Sequence, residues 1–438
     1  MIRFLQISDI HFTDVAGNDD DYAQMKCKFL EDIAECRELK GSIDYILICG
    51  DIAFSGMESQ YKKAKEFIAQ ICDATRCSEN NIFVVPGNHD KKWDVYGKTR
   101  QMMRDMLLSG KKTKQLFESK VKEPMAMGIL YTPFKQYYKL AYDYSCISDV
   151  ALKATSFPEA DQDMAEMPKF KPNDSFYWTE RLEDMHGYPV YIHGSNTSLL
   201  SDKDDGESKN LKKGTHLQVL PLQTYNVMAV TKEIHILMLH HPMSEIIDGK
   251  KIGKDLDNRF KLQFYGHVHK QSSSSDGSIK IYSGALQPEE DESDEYFPVY
   301  NLIETDVEEE NGKPFMKVAI FSRKWDGSKF VEYTEETKTG TQALKVGLQK
   351  NDAWKKTMER LNDNHQGQNQ DIEIEVNPHA VKNAFLRSGR EGRIIRDMYG
   401  KGFDHINSNR IKYLVFLKQV EEDGRMNELY NILKKYGK

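Results

Sequence analysis

Ile82-Phe83-Val84-Val85-Pro86-Gly87-Asn88-His89-Asp90 runs from a short apolar stretch straight into an amide, an imidazole and a carboxylate. Four apolar residues stopped by Pro-Gly predict a buried strand and a turn. The polar trio then falls at the strand's carboxyl end, where open α/β sheets hold their ligands. The same pattern occurs twice upstream. Residues 2–7 predict a strand delivering Asp9-Ile-His11, and residues 43–49 predict one delivering Gly50-Asp51. Between these strands, residues 22–39 and 57–72 read as helices. Phe29, Leu30 and Ile33 recur at helical spacing in the first, and Tyr61, Ala64, Phe67, Ile68 and Ile71 in the second. Strands alternating with helices place this part of the chain in the α/β class.

Strand patterning returns at residues 190–192, 234–239, 262–265 and 279–282, and again at 315–321 and 329–333 around the turn signal Trp325-Asp-Gly. Two more polar blocks follow these strands: His240-His241-Pro242 and Gly266-His267-Val-His269. The acidic runs 289–295 and 308–310 predict solvated loops. After Tyr333 the strand pattern stops. A polar stretch, 336–375, reads as a linker, and 376–438 as a small helical domain with Ser408 as an N-cap and Gly424 as a stop. Ile411, Leu414, Val415 and Val420 are the apolar positions expected between them.

The five blocks together can supply two Asp, one Asn and four His, with two histidines to spare. Two divalent cations held about 3.5–4 Å apart need a shared oxygen ligand, and a carboxylate such as Asp51 can bridge them. Mixed carboxylate, amide and imidazole ligation suits manganese, iron or zinc better than magnesium or calcium. A hydroxide between two such ions is nucleophilic at neutral pH.

In this order the blocks resemble the calcineurin-like metallophosphoesterases over roughly residues 1–335. The resemblance implies a four-layered α/β/β/α sandwich with a two-metal centre between its sheets. It implies that Asp9, His11 and His269 hold one ion, that Asn88, His240 and His267 hold the other, and that Asp51 bridges. His89 would be the histidine that contacts the scissile phosphate and protonates the leaving oxygen. The metal-binding histidine of the His-His-Pro block is assigned to His240, because related members keep a histidine two residues before the proline. His241 reads as a supporting histidine, with substrate contact as its other role. Gly50-Asp-Ile-Ala-Phe-Ser-Gly56 lacks the aspartate and arginine that protein Ser/Thr phosphatases carry after the bridging Asp. The His-His-Pro and Gly-His-Val-His blocks look most like the class III cyclic-nucleotide phosphodiesterase branch. Gly194-Ser-Asn196-Thr resembles a segment of that branch, which makes Asn196 a substrate-contact candidate.

The resemblance thus implies a phosphodiesterase with two divalent ions, manganese foremost, acting on a nucleotide or nucleic acid. An SbcD-like DNA nuclease and a catalytically inactive binding scaffold on the same fold are the rival readings. The gap between His89 and His240 exceeds what a compact core needs, so residues 91–190 are expected to form an inserted, mainly helical cap. Its front, 91–122, has ten Lys or Arg against three Asp or Glu, and Tyr131, Phe134, Tyr137, Tyr138, Tyr142 and Tyr144 follow. That segment could hold phosphates and stack bases, or merely pack. The tail, with 13 basic and 7 acidic residues, reads first as a packing or oligomerisation module. A faint similarity to helical adaptor domains of bacterial conflict systems adds a protein partner, and the basic excess adds DNA contact.

Composition narrows the classes further. With 39% hydrophobic and 29% charged residues, and no apolar run near the roughly 20 residues a bilayer helix needs, a membrane-spanning or disordered protein is excluded. A net charge of −7 argues against a simple basic nucleic-acid coat. The six cysteines form no C-x-x-C pair and the N-terminus lacks a signal-peptide pattern, so buried thiols in a cytoplasmic protein are expected.

Overall fold

The computed structural model describes residues 1–14, 22–95, 97–108, 116–117, 119, 124–147, 177–201, 220, 233–287, 297–333, 341–348, 394–395, 398–399 and 409–436. The chain divides into two compact units, one of Met1–Glu180 with Tyr188–Lys350 and one of Arg181–Gly187 with Asn351–Lys438.

The first unit opens with β1 (Ile2–Ile7), α1 (Ala23–Lys40), β2 (Tyr45–Ile48), α2 (Glu58–Thr75) and β3 (Ile82–Val84), the three strands lying parallel. Helices α3 (Gly97–Leu108), α4 (Pro124–Tyr131) and α5 (Lys135–Asp143) follow. A second sheet begins with β4 (Tyr177–Met185) and β5 (Tyr188–Ser195), then β6 (Ile234–Met238), α6 (Gly249–Arg259), β7 (Leu262–Tyr265), β8 (Ser272–Asp276) and β9 (Ser278–Tyr282). The chain returns to the first sheet with β10 (Val299–Glu310), β11 (Lys313–Trp325), β12 (Phe330–Glu332) and β13 (Thr341–Gly347).

The first sheet has the order β12-β11-β10-β1-β2-β3, with β13 pairing on β11, and the second β4-β5-β6-β7-β9-β8. Side chains two apart on β1 face the other sheet. Phe4 meets Phe264 at 5.8 Å between ring centroids, and Gln6 donates to the carbonyl of Tyr265 at 3.3 Å. On the outer face, Phe29 of α1 packs edge-on against Tyr300 at 5.0 Å, and Asp32 pairs with Arg323 of β11. On the other side, Ile252 and Leu256 of α6 join one buried cluster with Leu237, Leu239 and Phe260. Helices therefore cover both sheets, which gives the expected four layers.

The structure revises three local expectations and adds a strand that none anticipated. Residues 308–310 are not a loop but the end of β10, where their carboxylates stay exposed and Lys317 and Lys345 pair with two of them. The strand pattern does not stop at Tyr333, because β13 pairs antiparallel with β11 inside the stretch read as linker. Its alternation of half-buried and exposed residues is an edge strand's, and Thr, Gln and Lys disguise it. The serine run of β8 also forms an edge strand, on hydrogen bonds to β9 rather than on apolar content. Finally, β4 and part of β5 fall within residues 91–190, so that stretch is not helical throughout. The acidic run 289–295 and Ser408 lie outside the described residues.

Tyr131, Phe134, Tyr137, Tyr138 and Tyr144 are buried. Tyr137 donates its hydroxyl to the Val84 carbonyl and Tyr131 stacks on Tyr138 at 4.8 Å. Of the two roles weighed for these aromatics, packing is the one their burial permits.

In the second unit, α7 (Asn409–Glu422) and α8 (Met426–Tyr436) meet at Gly424, whose φ of +67° suits glycine. Phe416, Leu417, Val420, Met426 and Leu429 form its core with Ile394, Ile395 and Met398. Val415, expected among the apolar face, is 40% exposed. Helical spacing explains this, since the buried 416, 417 and 420 define a stripe that excludes it.

Candidate metal centre

All five polar blocks leave the carboxyl ends of parallel strands: three from β1, β2 and β3, and two from β6 and β7. The two sheets thereby deliver them to one place. The backbone bends sharply to do so. Asp9, His11, Asp51, His267 and His269 all have φ between +50° and +69°, half of the ten non-glycine residues with positive φ among those described. That region costs ordinary residues on the order of 1 kcal/mol or more each, and it clusters where side chains must be aimed. Main-chain bonds hold the bends: Asp9 N donates to Gly50 O at 3.0 Å, and His11 N to Asp51 O at 3.0 Å.

The side chains converge as two groups that have Asp9 in common. One donor atom each from Asp9, His11 and His269 lies within 4.8 Å of the others, and Asp9, Asp51 and His240 meet the same limit. Asp9 Oδ1 is 3.1 Å from His269 Nε2 and 3.9 Å from His11 Nε2. Asp51 Oδ2 is 3.7 Å from His11 Nε2 and 3.3 Å from His240 Nε2, so it links an imidazole of each group. Its other oxygen is occupied by the backbone N–H of His89 at 2.7 Å. His240 Nε2 is 3.1 Å from Asn88 Oδ1, while its Nδ1 donates to the carbonyl of Cys49 at 2.7 Å. A carbonyl can only accept, so this bond fixes the proton on Nδ1 and turns Nε2 toward Asp51 and Asn88. His240, His241 and His267 form a third group within 4.8 Å.

Glycines let the loops approach this closely. A Cβ on Gly87 would stand 2.0 Å from Asp51 Oδ1, and one on Gly266 would stand 2.2 Å from Ser8 Oγ.

The electrostatics follow from burial of opposite charges. Burial opposes the charging of Asp51, yet His240, His89 and His11 hold its carboxyl far below the usual range. Asp9 is likewise held low against burial, by His269, His11 and His240. Burial also works against His240, but Asp51, Asp9 and the Cys49 carbonyl outweigh it and push it up to about 9. Without metal, Asp51 and His240 thus form an ion pair. The donor set fits divalent metal well, since buried anionic carboxylates, an amide oxygen and imidazoles converge on one place.

His89 is half-buried at the edge, its ring 4.7 Å from that of His11. Its Nδ1 donates to the Phe54 carbonyl at 2.9 Å, which orients the ring. His241 is fully buried, with Nδ1 2.8 Å from Thr197 Oγ1. Its Nε2 has no hydrogen-bond partner among the described residues. Asn196 is buried with partners at both ends of its amide: it donates to Tyr138 at 3.0 Å and accepts from Ser198 N at 2.8 Å. It thus braces the loop after β5.

Three contributors carry roles that the sequence did not assign. Asp90 is buried and accepts from the backbones of Ile52, Ala53 and Gly87 and from Tyr61. It ties the β3 loop to the β2 loop, and burial, with repulsion from Asp51, raises its carboxyl to about 6. Its adjacency to His89 is the signal that could have found it. Glu245 lies 3.1 Å from His267 Nε2, and the Cys49 carbonyl orients His240. Neither has a sequence signature.

The description "calcineurin-like phosphoesterase" matches the chain over residues 2–271, more than half its length. The chain belongs to the calcineurin-like phosphoesterase family. The chain is 24% identical over 355 residues to the uncharacterized metallophosphoesterase-like protein YydB of Bacillus subtilis (strain 168). The match covers 79% of this chain and 64% of YydB, so the chain spans less than two thirds of that relative. Among solved structures, the chain is similar to Vps29 of Chaetomium thermophilum, at 10% identity and a TM-score of 0.28, covering 80% of this chain and 96% of that one. It is similar to the sulfate thiohydrolase SoxB of Thermus thermophilus, at 9% and 0.29, covering 91% and 68%. It is also similar to a 5'-nucleotidase precursor of Thermus thermophilus, at 11% and 0.30, covering 91% and 67%. At such scores the likeness says nothing about activity. No helix among the described residues is long and apolar enough to cross a membrane.

Proposed function

We propose that the protein is a dinuclear metal-dependent phosphodiesterase acting on a nucleotide or nucleic-acid phosphodiester, nearest in kind to the class III cyclic-nucleotide branch. The observation that carries this reading is Asp51 Oδ2, poised between His11 Nε2 and His240 Nε2 at the junction of two donor groups. Asp9, His11 and His269 would hold one ion and Asn88, His240 and His267 the other, with Asp51 shared. Manganese suits the mixed donors best, with iron or zinc as alternatives. When bound, such a pair supplies Lewis-acid stabilisation of the phosphate and lowers the pKa of water held between the ions.

The chain's own residues do the rest. His89 faces the leaving oxygen and donates a proton to it from Nε2, while its Nδ1–H stays anchored on the Phe54 carbonyl. Glu245 orients His267, and the Cys49 carbonyl orients His240. His241, fully buried beside His240 and His267, is assigned to the support of those two histidines. Asn196 acts by shaping the wall beside it. All six cysteines are unpaired and five are buried, which supports a reducing, cytoplasmic setting. We assign residues 1–350 to the catalytic domain, because β13 completes its first sheet beyond the boundary expected at 335, 91–190 to its insertion, 351–375 to a connecting segment and 376–438 to a helical module that packs, oligomerises or docks a protein partner.

A manganese-supplemented screen across bis-p-nitrophenyl phosphate, the monoester p-nitrophenyl phosphate, cyclic nucleotides, dinucleotides and single- and double-stranded nucleic acids tests the reading. Turnover of small diesters absent from Asp51→Asn is the expected result. Activity confined to linear DNA would favour the SbcD-like nuclease. Activity confined to monoesters would remove the diester assignment.

A further inference from the structure

Phe54 is 41% exposed, one of few large apolar side chains left in solvent among the described residues. Its backbone is pinned on both sides: its N–H donates to Phe12 O at 3.0 Å, and its carbonyl accepts from His89 Nδ1 at 2.9 Å. The ring lies 5.3 Å from the His89 ring and 6.0 Å from that of His11. Trp93 approaches His89 edge-on at 6.4 Å. It is half-buried and steadied by Arg100, whose guanidinium lies 5.2 Å from the indole centroid. The residue placed to protonate the leaving group thus stands beside two aromatic rings. The tyrosines that might have offered such faces are committed to the core.

We propose that Phe54 and Trp93 form a stacking slot on the leaving-group side of His89, selecting phosphoesters whose departing alcohol is a nucleoside. The proposal rests on the phosphoesterase reading above and adds a specificity element to it. A nucleobase spans one sugar from the departing oxygen, a reach comparable to the spacing of Phe54 from His89. Stacking would be sequence-tolerant, because every base has a π-face. It would act in KM more than in kcat if the base is bound equally in ground and transition states.

The test compares a dinucleotide with its analogue in which the base of the departing nucleoside is replaced by hydrogen. The departing alkoxides are then matched and only the base differs. Wild type should prefer the base-bearing diester by about tenfold in kcat/KM. Phe54→Ala and Phe54→Leu should lose most of that preference, and Phe54→Tyr should restore it. Equal slowing of both substrates in Phe54→Leu, or no preference in wild type, would overturn the slot. Adenosine 5'-monophosphate against ribose 5-phosphate gives the same comparison for monoesters. If only the monoesters turn over, with Phe54-dependent preference, the diester reading fails while the slot stands. Quenching of indole emission by adenosine 5'-monophosphate but not by ribose 5-phosphate, lost in Trp93→Phe, reads the slot without turnover. Its absence in a protein that hydrolyses nothing would also refute it.

Discussion

Asp51 has its two oxygens assigned to different tasks: one receives the His89 backbone N–H, and the other faces both donor groups. His89 and His240 are divided in the same way, each with Nδ1 fixed on a carbonyl. Only His240 then aims its Nε2 at the shared carboxylate, while His89 stays at the edge. On the proposed reading that difference separates ligand from acid. His89→Asn should therefore lower turnover by about 10²- to 10⁴-fold and leave metal content nearly intact. Loss of metal from the variant, measured by elemental analysis, would make His89 a ligand instead. His240 supports a second prediction. In the metal-free protein Asp51 and Asp9 push it up to about 9 from its ordinary 6.5, so a metal must displace its proton. Below about pH 9, apparent metal affinity should rise by about tenfold per pH unit and then level off, as followed by calorimetric titration. A flat profile would show that His240 is not a ligand.

At the scale of elements, the site depends on loops short and bare enough to bring five strand ends together. Gly87→Ala would thrust a methyl group into the Asp51 carboxylate, since its Cβ has only 2.0 Å to the oxygen. The variant should fold, because the loop is not in a sheet core, but bind metal about tenfold more weakly. Unchanged affinity by titration would mean that Asp51 has slack the geometry does not show. The same scale decides what can be read in advance. The parallel strands β1, β2, β3, β6 and β7 were legible because buried parallel strands are continuous apolar runs. Their ends were legible because metal-binding residue types stand immediately after them. Edge strands β8 and β13 were not, since Ser272–Asp276 and Thr341–Gly347 draw on backbone pairing and have little to bury. Asp90, Glu245 and the Cys49 carbonyl escaped because each supports a ligand through space, and Glu245 stands 22 residues before the histidine it meets. The tyrosines of 131–144 misled in part: aromatic density marks a stacking surface and a packed helix pair alike, and burial alone separates the two.

At the scale of the whole molecule, a chain with net charge −7 concentrates histidines and buried carboxylates at the meeting of two sheets and carries a second unit whose core is its own. On the proposed reading the centre sets the reaction class, and the loop bearing Phe54 would supply selectivity. Both depend on the shared carboxylate. The most direct test measures bound metal and bis-p-nitrophenyl phosphate turnover in the same manganese-loaded samples of the wild type and Asp51→Asn. About two ions per chain and metal-dependent turnover are expected in the wild type, with both sharply reduced in the variant. Less than one ion per wild-type chain, or turnover that survives in Asp51→Asn, would contradict a centre built on Asp51.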